Sequence, residues 1–291
     1  MMLLLRGAGR DHENIVHFEW GARDTMKIGI QASSLKKYLQ TPRDVTETFR
    51  RLKAMGYSYV QIEWVGDEVS DENVRESLDE SGLLCTGTQD GFDNISSRLD
   101  EIIWRNSLWK GKYVCGAVSI PAEEGGALAL AARLNAASKR LNECGMVLEI
   151  HPMFQSFLAV DGVSPLDRLW EHLDGAVLLQ PDFYHVVRGK ADPAGLVEKY
   201  RGRIAEAHFK DFRVLDGSLD MAELHDFDPL KQGAFPVTPI GQGIVPWKEI
   251  IEACGKCGVE YAFVEQEAWD KDPFECMKES FEYLLACGLG A

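Results

Sequence analysis

The chain has 291 residues, 45% of them hydrophobic and 26% charged, with a formal net charge of −15. This is the composition of a globular protein, and the length suits a single α/β barrel. The acidity argues against nucleic acid as a partner and against a polybasic membrane anchor. No run of 18 apolar residues exists to cross a bilayer.

Residues 1–25 read as an irregular polar leader. The apolar start, Met1 to Leu5, is very short and is followed by Arg6 and Arg10, without the order of regions that makes a signal peptide. Met26 opens a β-like pattern, so the folded domain is expected over 26–291. The seven cysteines are an odd number scattered through hydrophobic segments, which fits a reduced, cytoplasmic chain better than a disulfide framework.

From there the chain alternates short β-like runs with amphipathic stretches. Strands are predicted at 27–31, 59–64, 84–88, 113–119, 146–151, 176–180, 204–209 and 261–265, recurring at about the length of one βα unit. Thr41-Pro42-Arg43-Asp44 caps a helix that ends at Gly56, a helix over 128–144 stops at Gly145, and one from Trp247 to Cys257 stops at Gly258. Cys254 and Cys257 form a C-x-x-C without a second ligand pair, and read as helix residues that pack as small hydrophobes. Eight strands alternating with helices predict a (β/α)8 TIM barrel. A doubly wound open sheet is the alternative, but Gln31-Ala32-Ser33-Ser34 is not the glycine-rich phosphate loop it would want. The long gap between the last two strands contains 220–243, rich in Asp, Gly and Pro, and is expected to be a functional loop.

In such a barrel the side chains at the C-terminal strand ends converge on one face. Strands five to eight close on Glu149, Asp182, His208 and Glu265. Burying these acids together requires a counter-charge, and a single divalent cation supplies it. The oxygen-rich set favours manganese, with magnesium, cobalt and zinc as alternatives. A shift in the register of strand eight would exchange Glu265 for Glu267. His185, three residues after Asp182, is either a polar residue at a helix start or a substrate group. Lys210 either pairs with Asp211 or binds substrate oxygens, and Trp269 either walls a pocket or packs.

At these residues the chain resembles the xylose isomerase-like TIM barrel superfamily, in particular its sugar phosphate isomerase/epimerase group. The resemblance runs from about Lys27 onward and is carried by Leu148-Glu149, Asp182-Phe183-Tyr184-His185, His208-Phe209-Lys210-Asp211, and Gly241-Gln242-Gly243 with Trp247-Lys248-Glu249-Ile250 before Glu265. It implies a metal-dependent isomerase or epimerase of a keto sugar or polyol. Glu149 and Glu265 would be both metal ligands and the acid/base pair, moving a proton through an enediolate. It also implies a small-molecule substrate, touched by His151, His185, Lys210, Gln89 and Trp269, and it leaves open a homo-oligomer. A lyase of the same superfamily, inosose dehydratase-like or eliminating from a 3-keto glycoside, is the alternative, with His151 as an additional acid/base. The chain departs from the group's H-N-H at strand five, where it has Glu149-Ile150-His151, and has Gln89 where relatives often carry histidine after strand three.

Overall fold

The computed structural model describes residues 25–215 and 235–291. The expected leader, up to residue 24, and most of the expected 220–243 loop therefore lie outside the described residues. Eight parallel strands make the centre of the fold: β1 Lys27–Gln31, β2 Tyr59–Ile62, β3 Leu84–Gly91, β4 Tyr113–Val118, β5 Val147–Pro152, β6 Leu178–Leu179, β7 Glu206–Phe209 and β8 Tyr261–Val264. Neighbours pair in the order β6-β5-β4-β3-β2-β1-β8-β7. A parallel bridge between Asp182 and His208, with the His208 N–H donating to Pro181 O at 2.9 Å, joins the two ends. The sheet is thus a TIM barrel, not an open doubly wound sheet. The strand β6 is shorter than its apolar run at the start, where the Val177 N–H turns back to Asp174 O at 3.1 Å.

The helices form where the local chemistry asks for them. Thr41 and Asp44 exchange the two hydrogen bonds of a capping box, Pro42 opens the helix Pro42–Met55, and Gly56 ends it at φ 116°. The buried face of that helix is Val45, Phe49 and Leu52. The helix Trp247–Cys257 stops at Gly258, φ 78°. All seven cysteines are free, and Cys254 is a buried residue of this helix. The helix predicted at 128–144 begins earlier, at Glu124, and ends at Asn142.

Strand alternation divides the barrel into two regions. Ile28, Ile30, Val60, Ile62, Leu148, Ile150, Ala262 and Val264 are buried in the apolar core. The intervening residues fill the barrel interior, where Gln31, Gln61, Glu149, Gln180 and Glu206 hydrogen-bond across strands that are not all neighbours. Lower down, Gly29 leaves the space that the Phe263 ring occupies, since a Cβ there would lie 2.3 Å from Phe263 Cε1.

After β7 the chain leaves the barrel. Asp211–Phe212 pairs antiparallel with Val237–Thr238, and the segment from Gly241 to Trp247 folds back on Asp211. Asp211 Oδ2 accepts the N–H groups of Gly241 and Gly243 and the Trp247 indole N–H, each at 2.9 Å. Gly243 cannot carry a Cβ, which would meet Asp211 Oδ1 at 2.1 Å. The G-x-G…W stretch is therefore a structural clasp around Asp211.

Candidate metal centre

The strands β5 and β7 each carry a glutamate and, two residues on, a histidine: Glu149 and His151, Glu206 and His208. Two residues along a strand is about 6.6 Å, so the pairs build two layers. The lower layer, inside the barrel, holds Glu149 and Glu206. The upper layer, at the C-terminal mouth, holds His151 and His208.

The upper layer is completed by Asp182 after β6 and Glu265 after β8. One nitrogen or oxygen from each of His151, Asp182, His208 and Glu265 lies within 4.8 Å of the others, and all four residues are buried. The backbone prepares each one. Asp182 caps the short helix Phe183–Arg188 through Oδ1, which accepts the Tyr184 N–H at 2.8 Å, and this leaves Oδ2 for the cluster. His208 gives Nε2 to Gln61 Oε1 at 2.7 Å and turns Nδ1 toward Glu265 Oε2. The His151 ring lies 5.0 Å, centroid to centroid, from that of His208.

These residues fit a cation. Both ring nitrogens of His151 and Asp182 Oδ2 are buried without a hydrogen-bond partner, while His208 Nδ1 and Glu265 Oε2 face each other. Buried polar atoms are ordinarily satisfied, so a bare His151 nitrogen and Asp182 Oδ2 beside the His208–Glu265 contact suit a bound cation. Two imidazoles and two carboxylates suit manganese, cobalt or zinc. The second imidazole raises zinc relative to magnesium, which prefers an all-oxygen shell.

The electrostatics agree with that reading. Burial raises the Asp182 carboxyl to about 7 and lowers the His151 imidazole to about 3, with His208 adding to the latter. Burial would also raise Glu265, but Lys210 and His208 outweigh it and hold the carboxylate well below its usual range. For His208 burial is overcome by the charge of Glu265, which raises the imidazole. Lys210, itself buried, reaches Glu267 Oε1 at 2.5 Å and Glu265 Oε1 at 3.6 Å, so it is the local counter-charge to the acids.

Glu149 is absent from the cluster, contrary to the sequence expectation. Its Oε2 accepts from Gln180 Nε2 at 3.0 Å, and the same amide donates to Glu206 Oε2 at 3.0 Å. Burial, then the neighbouring Glu206, pushes the Glu149 carboxyl well above its usual range. The difference has a simple cause: 149 and 151 point the same way on β5, and the mouth is one layer higher than the first polar residue of the run. His151, expected to touch substrate, takes the place given to Glu149. Asp182, His208 and Glu265 do come together, and Glu267 is a partner of Lys210 outside the cluster. Lys210 does not pair with Asp211, which serves the clasp.

A cavity of about 1110 Å³ opens above the cluster. Gln89, His151, His185, Lys210, Glu265 and Trp269, all singled out in the sequence, line it. So do Glu63 and Trp64 at the end of β2, which were not. Their signal was available: Gln61-Ile62-Glu63-Trp64 closes an apolar run with polar residues, the same feature that marked strands five to eight. Among the described residues no helix is long and apolar enough to cross a membrane.

No protein-family model matches the chain. An inosose dehydratase from Lacticaseibacillus casei is 30% identical over 162 residues, 54% of this chain and 53% of the relative. The chain spans about half the length of the curated relatives it matches. Among solved structures, a sugar phosphate isomerase/epimerase from Parabacteroides distasonis superposes with a TM-score of 0.72 at 19% identity, covering 91% of this chain and 95% of that one. An L-ribulose 3-epimerase gives 0.69 at 13% identity, with coverage of 91% and 95%.

Proposed function

On a xylose isomerase-like TIM barrel, the fold of this chain, we propose an enzyme that holds one divalent metal ion and removes a proton beside the carbonyl of a keto sugar or polyol-derived ketone. The observation that carries it is the buried cluster of His151, Asp182, His208 and Glu265, of which His151 and Glu265 line the cavity. A cation bound there would supply Lewis acidity to a substrate carbonyl.

The chain's own residues supply the rest. Glu265 is kept ionised by Lys210 and His208 and lines the cavity, which makes it the proton acceptor. Lys210 faces the same space and stabilises negative charge that grows on a substrate oxygen. Gln89 and His185 orient hydroxyls, and Trp269 gives an apolar wall against a ring face. In the isomerase or epimerase reading a second group returns the proton from another side. Glu149 lies a layer below the mouth, so Glu63 takes that role: it lines the cavity, and desolvation at the cavity wall, then the Glu265 charge, raises its carboxyl above the ordinary range.

One observation favours a second reading, a lyase. The paired metal glutamates implied for an epimerase are reduced to one here, and elimination needs no proton returned to carbon. The similarity to inosose dehydratases supports the same reading. Incubation of the manganese-loaded protein in deuterated water with a panel of keto sugars and inososes tests the proposal. Deuterium gained without loss of water marks the isomerase or epimerase, and an unsaturated product marks the lyase. Absence of both across the panel, with metal bound, rejects the proposal.

A further inference from the structure

The polar interior of the barrel contains a hydrogen-bond chain whose direction can be read from a fixed starting point. The Ser33 backbone N–H is an unambiguous donor, and it reaches Gln31 Oε1 at 3.2 Å. The other end of that amide, Nε2, is therefore the donor to Gln61 at 3.1 Å and to Gln89 Oε1 at 3.2 Å. The Gln61 atom receiving it must be Oε1, which leaves Gln61 Nε2 to donate to Glu206 Oε2 at 3.2 Å. Gln31 and Gln61 are register partners in the β1–β2 ladder, so the two amides lie side by side, and both are fully buried.

The same Gln61 Oε1 lies 2.7 Å from His208 Nε2. A carbonyl oxygen only accepts, so Nε2 must carry the hydrogen, and in the neutral ring the lone pair is then on Nδ1. Nδ1 is the nitrogen that faces Glu265 and the cluster. We propose that Gln61 is a positioning residue for the metal centre. By accepting from His208 Nε2 it selects the ring tautomer and orientation that present Nδ1 to the cation, with Gln31 holding Gln61 in the required sense.

This rests on the metal-centre reading of His208, and two measurements separate them. The first is zinc affinity by chelator competition. Gln61→Leu is expected to bind zinc roughly 10- to 100-fold more weakly, the usual cost of removing the partner of a ligating histidine, at unchanged stoichiometry. Gln61→Glu retains the acceptor for His208 but loses the donor to Glu206, so it is expected to weaken zinc less than Gln61→Leu. Gln31→Leu keeps Gln61 and is expected to give a smaller loss in the same direction. The second is proton NMR of the metal-free chain, where the protected His208 Nε2–H signal is expected in the parent and lost in Gln61→Leu. Failure of the parent to bind zinc while this signal is present would reject the metal-centre reading, and with it the role of Gln61 toward a cation, while leaving the hydrogen bond standing. Parent-like zinc affinity in folded Gln61→Leu, or equal weakening in Gln61→Leu and Gln61→Glu, would overturn the proposal.

Discussion

Asp211 accepts the indole N–H of Trp247 at 2.9 Å on the same oxygen that receives Gly241 and Gly243. Two sequence elements that look like separate signatures, H-x-K-D and G-x-G…W, are the two halves of one clasp. It sits directly after Lys210, so it also fixes where that lysine enters the cavity.

Asp211→Ala leaves several buried N–H donors without an acceptor, among them that of Val245 at 3.2 Å from Oδ1. Each such loss is costly, and a destabilisation of roughly 3 kcal/mol is expected. The urea midpoint should fall with little change in slope. Asp211→Asn keeps one acceptor and should fall between. A loss under about 1 kcal/mol in Asp211→Ala would show that the clasp is marginal.

Gly29→Ala puts a methyl group 2.3 Å from the Phe263 ring in the barrel interior. Overpacking of this kind costs about 1–3 kcal/mol. Gly29→Ala combined with Phe263→Leu should recover part of that cost, because the two positions share one space. Additive losses in the double variant would place the strain elsewhere.

The lower acid layer sets a pH dependence in the metal-free protein. Burial raises Glu206 from its ordinary 4.5 to about 7, and Glu149 is also raised, first by burial and then by Glu206. The folded state therefore holds more protons than the unfolded state above the ordinary carboxylate range, and stability falls as pH rises through that window. It stays reduced once the folded pair has ionised. Glu206→Gln removes one of the two titrating carboxyls. The slope between about pH 4.5 and 7 should flatten, and stability at pH 8 should rise by on the order of 2 kcal/mol. An unchanged slope, followed by urea melts across that range, would contradict the assignment.

Much of this molecule was legible in its sequence, for identifiable reasons. The βα rhythm and the caps at Thr41, Gly56 and Gly258 are local, and the strands fell where the apolar runs placed them. Asp182, His208 and Glu265, which the structure brings together, each close such a run. At β5 the expectation and the cluster differ in depth. Glu149 and His151 face the same way, and a sequence does not say how far a tilted strand rises before its side chains reach the mouth. The glutamine chain was invisible for a different reason: Gln31, Gln61 and Gln180 are far apart in sequence and meet only when the barrel closes.

The composition of the cluster is decided most directly by counting metal. The protein and its Glu149→Gln, His151→Ala and His208→Ala variants would each be loaded with manganese or zinc, freed of excess ion and analysed for metal per folded chain. About one ion per chain is expected in the parent and in Glu149→Gln, with strong loss in both histidine variants. Full occupancy in His151→Ala, or loss of metal from a folded Glu149→Gln, would contradict a centre built from His151, Asp182, His208 and Glu265.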